Sequence, residues 1–152
     1  MNRRNQIAMT ADEQSAFLAN AKTIILTSID SRGYPHSVAM WFALIDGLVH
    51  MTTFRKAQKV LNLQRNPKVA LLVESGTHYS ELRGLLIRGD AELIEDVDLC
   101  TEILVDIQSR YYGSTDSSVR ELLRKQAAKR VAVRIRPDRV ASWDHSKLGG
   151  AY

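Results

Sequence analysis

The stretch Met51-Thr-Thr-Phe-Arg-Lys-Ala-Gln-Lys-Val-Leu-Asn-Leu-Gln-Arg-Asn-Pro-Lys-Val-Ala-Leu-Leu-Val-Glu74 carries, in order, the end of a strand, a basic turn, an amphipathic helix, a proline stop and a second apolar strand. No acidic residue falls between Phe54 and Val73. Arg55, Lys56 and Lys59 gather where the strand gives way to the helix. Unpaired N–H groups at a helix start attract anions, and cationic side chains add to that attraction. The junction reads as a site for a phosphate-bearing ligand. The alternative is a solvated basic helix face, which short Lys and Arg runs commonly are.

The helix spans about Ala57 to Arg65 and presents Val60, Leu61 and Leu63. Asn66-Pro67 ends it, because a residue before proline disfavours the helical region. Val69 to Glu74 is continuously apolar up to its last residue, which predicts a strand buried on both faces.

Upstream, Thr10-Ala-Asp-Glu13 is a capping box that opens a short helix ending near Asn20. Thr23 to Ile29 is rich in β-branched residues and reads as a strand. Asp30-Ser-Arg-Gly33 is a turn. Pro35 to Ile45 is the next strand, with His36, Val38, Met40 and Phe42 on one face and Ser37, Ala39, Trp41 and Ala43 on the other. Asp46-Gly47 is a strong hairpin signal, and Leu48 to Thr53 follows as a third strand. The three make an antiparallel meander.

Downstream, Arg83 to Glu95 is a long strand interrupted by Gly84 and Gly89, which suggests a bulge, a bend or a close approach. Asp96 caps a helix from Val97 to Tyr112, with Leu99, Ile103, Ile107 and Tyr111 on one stripe. Gly113-Ser-Thr-Asp116 breaks it, and a second helix runs from about Val119 to Lys129. Arg130 to Arg136 alternates strictly, with Val131, Val133 and Ile135 as its apolar face. Pro137-Asp138 predicts a turn, and Val140 to Trp143 continues extended before a tail to Tyr152. Six strands, with a helix after the third and a helical pair before the sixth, predict a mainly β (α+β) fold. It is a six-stranded antiparallel barrel with peripheral helices, since closure removes the exposed edges of a meander.

The 152 residues fit one domain, 1–152. At 45% hydrophobic and 25% charged, the chain has the composition of a soluble globular protein. Its net charge of +4 and pI near 9.4 suit anionic ligands but are mild for a nucleic-acid binder. No apolar run reaches the roughly 18 residues of a membrane span. Met1-Asn-Arg-Arg-Asn-Gln6 lacks the apolar stretch of a signal peptide, so the expected location is cytoplasmic. The single cysteine, Cys100, falls on a helix and reads as a packed thiol. His36, His50, His78 and His145 show no metal-ligand spacing. No P-loop, Gly-x-Ser-x-Gly or Gly-x-Gly-x-x-Gly element is present.

The ordered set of motifs resembles a known family. Thr52 to Glu74 is similar to the stretch of the pyridoxamine 5'-phosphate oxidase-like split-barrel family in which a strand ending in threonine leads to a Ser-Arg-Lys or Ser-Gln-Lys element, a helix and an Asn-Pro stop. Arg83-Gly-Leu-Leu-Ile-Arg-Gly89 resembles that family's next strand. Ser142-Trp-Asp-His-Ser-Lys-Leu-Gly149 is similar to the ending of its flavin/deazaflavin oxidoreductase branch. The resemblance implies a split barrel acting as a homodimer, with cofactor sites between subunits. It implies that Thr52 and Thr53 meet the isoalloxazine ring and ribityl chain. Lys59, with Gln58 before it, would meet the phosphate, and Arg55 and Lys56 would flank the turn. Met40 and Trp41 would run beside the ring, and Trp143 would reach a cofactor across the dimer.

Gln58 stands where the oxidases proper have an arginine, and Gly84 where they have a glutamine. Their C-terminal Arg-Leu-His-Asp-Arg element is absent. The departures fit the cofactor F-420, whose phosphodiester and oligoglutamate tail would suit Arg55, Lys56 and Arg65. The resemblance thus implies F-420-dependent hydride transfer to a small conjugated substrate, with FMN-dependent oxidoreduction or a non-catalytic carrier as alternatives. No catalytic side chain is assigned, because the cofactor carries the reaction. Tyr79, Trp41 and Trp143 are candidates for the substrate side or for ordinary packing. Asp144 and His145 read as a proton relay or as tail hydrogen bonds. A distant heme-binding relative of the barrel raises an axial-ligand role for one histidine; a hydrogen-bonding role is the commoner one.

Overall fold

The computed structural model describes residues 2–113 and 115–150. Ser114 of the expected helix break and the last two tail residues lie outside the described residues. Strands β1 (Ile24–Ile29) and β2 (Pro35–Met40) form a hairpin. The Asp30 carboxylate closes its turn by accepting from the N–H groups of Arg32 and Tyr34 at 2.8 and 2.9 Å. Strands β3 (Ala43–Ile45) and β4 (Leu48–Phe54) form a second hairpin. Its turn residues Asp46 and Gly47 have φ of 53° and 74°. Two positive φ values are what a type I′ turn requires, and they match the twist of the flanking strands.

The expected single strand from Pro35 to Ile45 is therefore two strands, parted at Trp41-Phe42. With β5 (Lys68–Ser75), β6 (Arg83–Ile94) and β7 (Arg130–Asp144), the sheet has seven strands in the order β2-β1-β5-β6-β7-β4-β3. β2 pairs with β1 at one end of that order and β3 pairs with β4 at the other. One continuous piece of chain thus bridges both edges and curls the sheet round. It leaves one neighbour before meeting the next, so the barrel is split rather than fully paired. The face assignment holds through the break: Val38, Met40 and Phe42 pack into the barrel core, while Ala43 faces the outer helices.

β5 departs from expectation. Val69, Leu71 and Val73 are buried, but Ala70 and Leu72 are half-buried, so only one face is sealed. Pro137-Asp138 is no turn. β7 runs straight through it, and the pairs Arg88↔Arg139 and Gly89↔Pro137 leave Asp138 as the extra residue of a bulge. A Cβ on Gly89 would lie 2.1 Å from the Arg136 carbonyl oxygen, which is why glycine stands there.

The barrel core holds Ile24, Leu26, Phe42, Met51, Leu71, Val133 and Ile135, all at most 1% exposed. A second core lies outside the barrel, under α4 (Val97–Tyr112) and α5 (Ser117–Ala127), where Cys100, Ile103, Ile107, Leu123 and Ala127 meet Ala43 and Ala132. Asp96 caps α4 by accepting from the N–H groups of Asp98 and Leu99. Helix α1 (Arg3–Ile7), which the sequence reading did not foresee, is capped by Asn2. Helix α2 (Ala11–Asn20) carries the Thr10–Glu13 capping box in both directions. Helix α3 (Gln58–Arg65) buries Val60, Asn62 and Leu63. No helix among the described residues is long and apolar enough to cross a membrane.

Candidate anion and cofactor site

β4 delivers Thr52 and Thr53, both buried, to the junction with α3. The two hydroxyls face different cations. Lys59 Nζ donates to Thr53 Oγ1 at 3.2 Å, and Arg130 Nη1 donates to Thr52 Oγ1 at 3.3 Å. Arg130 arrives because Phe54↔Arg130 is the last pair of the β4–β7 ladder. Its guanidinium carbon lies over the Phe54 ring, 4.5 Å from the centre, a cation–π contact. The N–H of Arg55 donates to the Lys129 carbonyl at 3.4 Å, which ties the basic turn to the start of β7.

α3 begins at Ala57 with no side-chain cap and no acidic residue in its first turn. Among the described residues, Arg55, Lys56, Lys59 and Arg130 form no ion pair. Burial holds the Lys59 ammonium below the usual lysine range, and the Arg130 charge lowers it further. Burial likewise depresses Arg130, whose Nε is sealed from solvent without an acceptor. A strand–helix junction with several cations, no carboxylate paired to them and an open helix start can bind an anion.

Gln58 and Arg65 are engaged elsewhere. Gln58 Nε2 donates to Asn62 Oδ1 at 2.9 Å, and Arg65 Nη2 donates to the same oxygen at 3.3 Å and to the Ile29 carbonyl at 3.1 Å. Asn62, fully buried, donates to Ser28 Oγ at 3.1 Å. This network fixes α3 against β1.

Met40 packs on the barrel core, and Trp41 is 45% exposed. The Trp41 indole stacks on Tyr111 of α4 with centroids 4.2 Å apart. Ala43 pairs with His50, so the antiparallel register carries the chain toward Trp41 in the same direction as it carries β4 toward Thr52. Trp143 is elsewhere. It pairs with Gly84, whereas Thr52 pairs with Ala132. The eleven positions from 132 to 143 span roughly 35 Å of strand at about 3.3 Å per residue. One chain therefore does not bring Trp143 to the Thr52–Lys59 junction. Tyr79 and His145 lie with Trp143: their rings are 4.5 Å apart, and His145 Nδ1 is 3.0 Å from the Tyr79 carbonyl. Asp144 accepts from the Ser146 N–H and hydroxyl at 3.0 and 2.6 Å, so its partner is Ser146 rather than His145.

The sequence reading missed Arg130. It stood there only as the first residue of an alternating strand, and nothing local marks it. Its place beside Thr52 follows from strand register across 78 positions. Among the described residues, no group of His, Cys, Asp and Glu is arranged to hold a metal ion.

Residues 10–144 match the sequence model of the family described as pyridoxamine 5'-phosphate oxidase. A conserved hypothetical protein from Mycobacterium tuberculosis superposes with a TM-score of 0.93 at 37% identity, over 100% of this chain and 95% of its own. A structure described as an F420 reductase superposes with a TM-score of 0.67 at 26% identity, over 84% of this chain and 94% of its own. An FAD-binding protein from Mesorhizobium loti shares the fold, with a TM-score of 0.65 at 16% identity over 89% of this chain and 94% of its own. No curated protein matches the chain significantly.

Proposed function

Because the chain belongs to the pyridoxamine 5'-phosphate oxidase family, we propose that it is an oxidoreductase that uses the deazaflavin F-420 for hydride transfer to a small conjugated organic substrate. The observation that carries this reading is Lys59. It is a half-buried ammonium on the buried strand end Thr52-Thr53, at an uncapped helix start, with no carboxylate paired to it. Those are the requirements of a phosphate site. The 26% identity to a structure described as an F420 reductase over 84% of this chain supports the deazaflavin reading.

In this account Lys59 and the first turn of α3 hold the phosphate, and Arg55 and Lys56 attract the anionic tail. Thr52 and Thr53 position the ribityl chain and ring, with Met40 and Trp41 alongside. Gln58 acts through Asn62 by fixing the pitch of α3. The bound deazaflavin supplies the hydride chemistry. The chain contributes orientation, charge and exclusion of water.

Two features support a homodimer. Trp143 lies far from Thr52 within one chain, so a second chain is needed to bring both to one cofactor. Across four strands, Ile25, Leu72, Leu86 and Ala141 stand directly opposite one another in a half-buried apolar row. Such a row suits the centre of an obligate interface.

The test is turnover of reduced F-420 against a panel of enones, quinones and nitro compounds. Oxidation of the cofactor that depends on one of these acceptors is the expected result. Tight binding with no turnover on any of them would favour the carrier reading. Turnover with reduced FMN alone would favour the FMN enzyme.

A further inference from the structure

We propose that the groove lined by α1, β6 and β7 is a second, separate binding site, which takes a small organic molecule carrying two or more phosphate or carboxylate groups. The proposal goes beyond the cofactor reading above and does not rest on it.

The groove encloses about 550 Å³. Arg4 of α1, Arg88 of β6 and Arg139 of β7 line it together, with Leu86, Val140 and Ala141 as apolar neighbours. No acidic residue lines it. Among the described residues, none of the three arginines forms an ion pair. All three are exposed, so a ligand reaches them from solvent. The chain after α1 is tied to β7 through Ser142, whose hydroxyl accepts from the Met9 N–H at 3.0 Å and from Gln14 Nε2 at 3.3 Å. Arg139 stands seven positions along β7 from Ala132, the partner of Thr52, which is roughly 23 Å of strand. The groove and the Lys59 junction are therefore two different places.

The strand pairing sets two of these charges side by side. Arg88 and Arg139 are register partners, so their Cβ atoms stand roughly 5 Å apart on one face. Like charges directly opposed destabilise a sheet. The bulge in β7 creates this arrangement. Gly89 pairs with Pro137, so an unbroken register would set Asp138 opposite Arg88, an attractive pair. The bulge passes over Asp138 and sets Arg139 there instead. The Asp138 charge acts on Lys68, which Asp90 already pairs at 2.8 Å, and Asp138 does not line the groove. Bulges re-aim side chains in this way beside functional sites. The fold forgoes an Arg–Asp pair for an Arg–Arg pair facing a groove, and an anion bound there turns the repulsion into attraction. Three guanidiniums call for more than one negative charge, and their planar donor forks suit phosphate and carboxylate oxygens. The apolar neighbours suit a carbon skeleton. Leu86 and Ala141 also belong to the apolar row assigned above to the dimer, so the groove lies at the margin of that interface.

The experiment titrates wild type, Arg88→Gln, Arg139→Gln and Lys59→Gln with pyrophosphate and with citrate by calorimetry, and follows melting temperature and sedimentation. The expected result is saturable binding of at least one of the two anions that persists in Lys59→Gln. Arg88→Gln and Arg139→Gln should each weaken it roughly ten- to a hundred-fold, the range of a charge-assisted bond. Because both side chains are exposed, these variants should fold, and without anion they should melt slightly above wild type as the like charges are parted. Preference for pyrophosphate identifies a phosphate ester as the ligand class, and preference for citrate a polycarboxylate. No saturable binding of either anion to wild type would overturn the proposal. Binding lost in Lys59→Gln and kept in Arg139→Gln would overturn it too, and would leave the cofactor reading intact. A dimer that dissociates on Arg139→Gln, with no anion bound to wild type, would give the arginines to the carboxylates of a second copy instead.

Discussion

The indole of Trp143 lies directly on Gly84 of the neighbouring strand. A Cβ on Gly84 would fall 2.0 Å from Trp143 Cζ2. The two are register partners, so the absence of a side chain at 84 is what lets the ring lie flat on the sheet. Gly84→Ala must push the indole away, and overpacking of this kind costs roughly 1–3 kcal/mol. If Trp143 serves a partner's cofactor, the variant also loses cofactor affinity. Tryptophan fluorescence reports the first effect and a titration the second. A Gly84→Ala protein with unchanged emission and affinity would remove Trp143 from the site.

Lys59→Ala should weaken cofactor binding by roughly ten- to a hundred-fold, at about 1.4 kcal/mol per factor of ten. The apo fold should lose no stability, because a half-exposed lysine bonded to one hydroxyl contributes little and its charge is disfavoured by burial. Lys68→Ala is the control: Lys68 begins β5 and pairs with Asp90 at 2.8 Å on the open surface. Equal losses from both would mean a diffuse basic face.

Lys59 also sets a pH dependence. Its folded-state pKa lies below the ordinary lysine value, mainly through burial. The unfolded chain therefore holds that proton more tightly. Apo stability should rise with pH between the folded and unfolded pKa values, and the penalty is present in full below the folded one. Cofactor affinity should run the opposite way, falling as pH climbs through the lowered pKa and the ammonium is lost. Melting temperature and dissociation constant measured across the alkaline range check both signs, and Lys59→Gln should flatten both curves.

Asn62 joins Ser28, Gln58 and Arg65 at one fully buried amide. Asn62→Leu leaves three polar groups short of a partner. A buried group left unsatisfied costs about 1–3 kcal/mol, to be read from chemical denaturation. Because α3 carries Lys59, the variant should lose cofactor affinity although Asn62 touches no ligand.

What was legible in the sequence was local chemistry. The Thr10–Glu13 capping box, the Asp96 cap and the Asp46-Gly47 turn each act within a few residues, and each is present as read. The strand break at Trp41-Phe42 was not legible, since it depends on β2 and β3 lying at opposite ends of the sheet. Pro137 looked like a turn because proline lacks an N–H; a bulge against Gly89 accommodates it within the strand. The apolar run of β5 suggested two buried faces, but nothing in the run says what covers the second. At the site, the basic turn pointed to Lys59, whereas the place of Arg130 and the Gln58–Asn62 bond needed the register and the packing of α3.

Assembly offers a separate check. If the half-buried row Ile25, Leu72, Leu86, Ala141 is an obligate interface, the chain should sediment as a dimer at micromolar concentration, and Leu72→Glu should yield a monomer with weakened cofactor binding. A wild-type monomer that binds cofactor normally would contradict this.

The central claim is tested most directly by titrating the purified wild-type protein with F-420 and with FMN, followed by visible absorbance and fluorescence. The account predicts saturable binding of F-420 at one molecule per chain, with FMN the weaker ligand. Saturable binding of FMN with no affinity for F-420 would contradict it.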